Sequence, residues 1–71
     1  MYEMKHVFFR KGKDGLTDVY VFYAVHEGWE VYFKRPGYPM MFAFGLPFVY
    51  AVSDVFVIAD SNIIQYEGMF K

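Results

Sequence analysis

The side chains able to do chemistry are few and scattered. The chain has two histidines, His6 and His26, two serines, Ser53 and Ser61, and no cysteine. Without cysteine there is no thiolate nucleophile, no disulfide, and no Fe–S or Cys-rich zinc site. A zinc site of two histidines and an acid would need His6 and His26 brought together. His6 falls within a β-favouring stretch and His26 at a turn beside Glu27, so both read as ordinary surface histidines. Neither serine sits in a nucleophile-elbow context, which leaves a Ser-His-Asp hydrolase without support. Asp60-Ser61-Asn62 begins like a calcium loop but lacks the further oxygen ligands, the central glycine and the terminal glutamate. Gly12-Lys13-Asp14-Gly15 matches the four-residue loop with which some RNA-binding domains clamp a phosphate backbone. That loop joins two helices, and here it joins two strand-like segments, so a hairpin turn is the better reading. No cofactor is called for.

The elements that would carry these groups are strands in the first half. Met4 to Lys11 and Thr17 to Val25 are rich in β-branched and aromatic residues and flank the glycine turn. Glu27-Gly28 turns the chain again, and Trp29 to Arg35 alternates Trp, Val and Phe with Glu, Tyr and Lys until Pro36-Gly37-Tyr38-Pro39 ends it. With tight hairpins at both turns, Val7, Phe9, Tyr20, Phe22, Ala24, Trp29, Val31 and Phe33 share an inner face. His6, Phe8, Arg10, Val19, Val21, Tyr23, Glu30, Tyr32 and Lys34 share the outer one. The same topology gathers Arg10, Lys11, Lys13, Lys34 and Arg35 at one end of the sheet and Glu3, His26, Glu27 and Glu30 at the other.

From Tyr38 to Ala59 the only charged or small polar side chains are Ser53 and Asp54. Gly45-Leu46-Pro47 divides this run, because proline lacks the ladder donor. Met40 to Phe44 fits a fourth strand. Beyond Ser53 two readings compete. In one, Ser53 caps a helix with Asp54 in its first turn, and Val55, Ile58, Ala59, Asn62, Tyr66, Met69 and Phe70 form one stripe. In the other, Val55 to Ala59 and Ile63 to Tyr66 are strands joined by Asp60-Ser61-Asn62. The stripe keeps its phase over about four turns, and a sheet with one apolar face needs a lid. Both favour the helix. A membrane span over Met40 to Ala59 has the length, but Asp54 and the break at Gly45 to Pro47 count against it.

The expected fold is therefore α+β: a single small domain with an antiparallel meander of three to four strands and one C-terminal helix packed on one face, an all-β chain being the alternative. Seventy-one residues sit near the size at which one core barely offsets chain entropy. Nine Phe, seven Tyr and one Trp make the chain 24% aromatic, more than so small a core can hide, so some rings must be exposed or covered by another chain. A net charge of −1 excludes a strongly basic nucleic-acid module and an acidic DNA mimic alike. Glu3, Lys5 and His6 interrupt the apolar run that a secretory leader would need, and a cytoplasmic location is expected. The order Glu27-Gly28-Trp29-Glu30-Val31-Tyr32-Phe33, then Pro36-Gly37-Tyr38, then a late helix ending near Tyr66, loosely resembles small antitoxins of the HicB type. The acidic, alanine-rich helix usual there is replaced by Val55-Phe56-Val57-Ile58, and the resemblance assigns no residue a role.

The function expected from these readings is a non-catalytic protein-interaction module of inhibitor or adaptor type. Its partner-binding residues would be Phe8, Arg10, Tyr23, Tyr32, Lys34 and Arg35 on an aromatic and basic sheet face. The partner would be a larger protein or a second copy, whose docking would bury aromatic surface and raise a marginal stability. The alternative is a single-stranded nucleic-acid binder, in which the same rings stack bases while Arg10, Lys11, Lys13, Lys34 and Arg35 track phosphates.

Overall fold

The computed structural model describes residues 6–24 and 27–66, apart from the side chains of 6, 24, 64 and 66. Four strands, β1 (His6–Lys11), β2 (Asp18–Ala24), β3 (Gly28–Lys34) and β4 (Met41–Leu46), are followed by one helix, α1 (Val52–Tyr66). The strands form an antiparallel sheet in sequence order, which is an open meander with β1 and β4 at its edges. The α+β expectation holds. The two-strand reading of the C-terminal half does not, since residues 52–66 are continuous helix.

Local chemistry accounts for the turns. At the first, the Gly12 N–H donates to the Thr17 carbonyl at 2.7 Å, while the Asp14 carboxylate accepts from the N–H of Leu16 and of Thr17. An aspartate side chain capping its own turn in this way is the reason aspartate favours such sites. At the β3–β4 connection Pro36 and Gly37 occupy the two central positions of a type II turn closed by the Tyr38 N–H on the Arg35 carbonyl at 3.0 Å. Gly37 has φ of 84°, which that turn demands at its third residue.

The helix starts two residues earlier than its sequence suggests. The Val55 N–H donates to the Ala51 carbonyl at 3.1 Å, so Ala51 stands at the cap and Ser53 lies inside the first turn with Asp54. Its buried stripe is Val55, Phe56, Ala59 and Ile63, turned toward Phe56 and Ile63 and away from Ile58 and Asn62, which are only half-buried. The predicted stripe members Met69 and Phe70 lie outside the described residues. No helix among the described residues is long and apolar enough to cross a membrane.

The stripe packs on Val19, Val21, Trp29, Val31 and Phe33. Those five positions correct the assignment of faces. Val7 and Phe9 do share a face with Phe22 and Tyr20, as expected, but Ala24 pairs with Gly28, so the β2–β3 connection holds three residues. An odd connection shifts the pairing by one residue, and a shift of one exchanges faces. Val19, Val21 and Tyr23 therefore join Trp29, Val31 and Phe33 under the helix, and Tyr20 and Phe22 stand on the opposite, open face.

Two anchors fix α1, one at its start and one near its middle. The Trp29 indole N–H donates to the Tyr50 carbonyl at 2.8 Å just before the helix. Near its middle, Asp60 accepts from Arg10 at 2.7 Å and from the Lys13 backbone N–H at 3.0 Å, tying the helix to the β1–β2 hairpin. Gly28 lies where the β4–α1 connection crosses the β2–β3 turn: its φ is 87°, and a Cβ there would overlap the Leu46 carbonyl oxygen. We expect Gly28→Ala to cost about 3 kcal/mol from backbone strain plus overlap. Gly37→Ala, with a similar φ but open space around it, should cost about 1 kcal/mol. Urea midpoints of the two variants check the difference, and equal losses would contradict the close approach at Gly28.

Candidate interaction surface

The residues expected to form one binding face are divided by the register. Phe8, Arg10 and Tyr23 lie on the helix-covered side. Phe8 and Tyr23 flank Trp29 with ring centroids 6.0 and 4.6 Å from it. Arg10 sets its guanidinium 4.7 Å over the Phe56 ring while bonding Asp60, a cation–π contact that shields the helix edge. Tyr32 and Lys34 lie on the open face. Arg35 follows β3 and folds into the first turn: its Nε donates to the Thr17 hydroxyl at 2.9 Å and its Nη2 to Asp14 at 3.2 Å, which leaves the side chain only 12% exposed. Three of the six thus stabilise the helix side and one locks a turn, because the three-residue β2–β3 connection reverses β1 and β2 relative to β3.

The open face is built from different residues. Directly opposed in the ladder are Phe9, Tyr20, Tyr32 and Phe42, one from each strand, so an aromatic row crosses the whole sheet. Neighbouring rings touch: Phe9 and Tyr20 at 4.8 Å, Tyr32 and Phe42 edge-on at 5.4 Å, with Phe22 edge-on to Tyr32 at 5.2 Å. Tilted and edge-on pairs at these separations suit the ring quadrupole, and cross-strand aromatic pairs stiffen a sheet. Val7, Phe9 and Phe42 remain 54–55% exposed. The row is bounded at one end by Lys11, Asp18 and Lys34, opposed in turn across three strands, and at the other by Glu30. Phe9, Tyr20, Phe22 and Phe42 belong to this surface, in addition to the residues the sequence points to. The available signal was the alternation Val19-Tyr20-Val21-Phe22, in which the small β-branched residues suit a face under a helix and the rings take the other.

The basic residues do gather at one end of the sheet, but carboxylates are interleaved with them. Lys11 pairs with Asp18 at 2.6 Å, Arg10 with Asp60 and Arg35 with Asp14. A groove of about 370 Å³ between the hairpin tip and the helix is lined by Lys13, Asp14, Asp60, Ser61 and Ile63. Its carboxylates and hydroxyl are engaged: Asp14 and Asp60 as above, and Ser61 through its hydroxyl, which donates to the Val57 carbonyl. Among the described residues no three His, Asp or Glu side chains group as metal ligands. His26 and the side chain of His6 lie outside the described residues. Compared with protein-family models, curated proteins and solved structures, the chain matches none.

Asp14 is the electrostatic centre of the first turn. Partial burial pushes its pKa up, but the Thr17 and Leu16 N–H groups, the Thr17 hydroxyl and Arg35 together outweigh that and hold it down at about 2, against an ordinary 3.8. A carboxyl whose folded pKa is depressed adds stability above its unfolded value and loses it as pH falls through the folded one. Asp14 therefore contributes on the order of 1–2 kcal/mol above about pH 4, fading toward pH 2. Asp14→Asn should lower stability at pH 7 and flatten the acid limb between pH 4 and 2. Chemical denaturation across that range measures it, and an unchanged acid limb would remove Asp14 from this role.

Proposed function

We propose that the chain is a non-catalytic protein-interaction module that binds a larger partner protein through the open face of its sheet. The observation that carries this reading is the row Phe9, Tyr20, Tyr32 and Phe42, which crosses all four strands on the side opposite the helix. Rings held rigid by their neighbours lose little entropy when a partner covers them, and aromatic centres with a charged rim are the composition of binding hot spots. Lys11, Asp18, Lys34 and Glu30 supply such a rim. The face offers rings and charges rather than a nucleophile beside a base, which is why the reading is non-catalytic.

Single-stranded nucleic acid is the second reading, favoured by the same stacked row with two lysines along one end. Against it, Arg10, Lys11 and Arg35 each already bond a carboxylate. A phosphate would have to compete with those carboxylates, so the electrostatic attraction on which such binding depends is largely cancelled.

Tyr32→Ala combined with Phe42→Ala should remove the hot spot while Val57→Ser, an exposed change on the far side of the helix, should not. In affinity purification from the source cells, a partner retained by the native chain and by Val57→Ser should fall at least about tenfold with the double variant. Equal retention by all three would exclude the open face. A short oligonucleotide titrated at low salt should show no saturable binding, and micromolar binding that weakens with salt would favour the second reading.

A further inference from the structure

At the end of the sheet where α1 begins, the β4–α1 connection leaves Phe48, Val49 and Tyr50 exposed, at 61%, 75% and 38%. No charged residue lies between Leu46 and Asp54. The loop is held in shape: the Tyr50 carbonyl accepts the Trp29 indole N–H, the Tyr50 N–H donates to the Pro47 carbonyl at 3.4 Å, and the backbone at Pro47 and Phe48 runs against Gly28. Apolar side chains fixed in this way lose little entropy when a partner covers them. Glu27, next to Gly28, and Asp54, in the first turn of the helix, flank the loop and are both exposed. Neither pairs with a cation among the described residues.

The opposite end of the molecule has the converse character. In the groove of about 370 Å³ between the hairpin tip and α1, Asp14 is neutralised by Arg35 and Asp60 by Arg10. Lys13 is left over. Its backbone N–H bonds Asp60, but its ammonium bonds nothing, whereas Arg10, Lys11 and Arg35 each hold a carboxylate and Lys34 holds the Arg35 carbonyl. Among the described residues Lys13 is thus the one cation with an uncommitted head group. The apolar part of the lining is Ile63 and the aliphatic stem of Lys13, and Leu16 stands 48% exposed on the same turn. An apolar loop flanked by uncommitted carboxylates and a groove with an uncommitted ammonium at its lip are complementary in charge.

The loop cannot reach the groove of its own copy, because the fifteen-residue helix, about 22 Å long, starts at one and ends beside the other. We propose that copies of this chain associate head to tail, the Phe48–Tyr50 loop of one seated in the groove of the next, with Glu27 and Asp54 against that copy's Lys13. The two patches are different, so the contact is heterologous: a docked pair still has an empty groove at one end and a bare loop at the other, and growth continues beyond two copies. No residue of the aromatic row takes part. The open face is left uncovered along the assembly.

Sedimentation velocity tests this on the native chain at about 10 to 500 μM, the range over which a contact of micromolar strength fills. The average mass should rise past twice the 8.4 kDa of one chain, and should rise less in about 0.5 M salt, which screens Lys13. Two variants block one end each. Phe48→Ser with Val49→Ser changes only exposed side chains, and Lys13→Glu keeps the backbone bond to Asp60. Each alone should stay at the single-chain mass. An equimolar mixture of the two retains one intact loop and one intact groove, so it should form a one-to-one dimer and grow no further. Tyr20→Ser with Tyr32→Ser on the open face should assemble as the native chain does. A native chain that stays at the single-chain mass at the highest concentration overturns the proposal. So does growth that persists in either blocked variant, or a mixture that fails to pair, as a two-fold contact would require. Assembly lost only in the Tyr20 and Tyr32 variant would place the contact on the open face instead.

Discussion

A fifteen-residue helix can cover one face of a four-stranded sheet and not the other, and the molecule is arranged around that shortage. The face it covers is the one lined by Val19, Val21 and Val31, fully buried at the centre of the sheet, with Trp29 and Phe33 beside them. Valine is stiff at χ1 and small enough for a helix to approach closely, and burying each such side chain contributes about 1.5–3 kcal/mol. Ala59 at the middle of the helical stripe serves the same closeness from the other side. Once the valines are inward, alternation leaves Tyr20, Phe22 and Tyr32 no place but the open side.

The helix is held by directional bonds as well as by burial. Burial alone is indifferent to small rotations, whereas the Trp29 bond to the Tyr50 carbonyl and the two bonds to Asp60 specify where the helix begins and where it crosses the hairpin. Asp60 is the more demanding of the two anchors, since it answers both a side chain of β1 and a backbone N–H of the turn that follows it. The Arg35, Thr17 and Asp14 chain fixes that turn in its own right, the Thr17 hydroxyl accepting from Arg35 and donating to Asp14. Arginines that look available for a ligand in the sequence are in this way consumed by architecture.

Element types were legible because period-two alternation, turn glycines and the proline breaks act locally. Pro36-Gly37 marks its turn type outright, and Gly12 to Gly15 marks the first hairpin. Facing was not legible to the same degree. It depends on whether an even or odd number of residues separates β2 from β3, and Val25-His26-Glu27-Gly28 offers no local rule that fixes where the ladder resumes. That single parity moved Phe8, Arg10 and Tyr23 to the covered side and Phe9, Tyr20 and Phe22 to the open one. The helix start departs from the local signal for a related reason: Ser53 is a good cap by type, yet the chain arrives from Pro47 with Ala51 already in position. Arg35 looks like a surface cation in the sequence because nothing local links it to Thr17, eighteen residues earlier.

Trp29 is the chain's only tryptophan, and it sits between Phe8 and Tyr23 with its N–H on the carbonyl that precedes the helix. Its emission thus follows the docking of α1, and light at the red edge of the band excites it without the tyrosines, which lie on both faces, Tyr23 beside it and Tyr20 and Tyr32 opposite. The protein carries one native optical probe, placed on the covered face, and needs no added label to report whether the helix is seated.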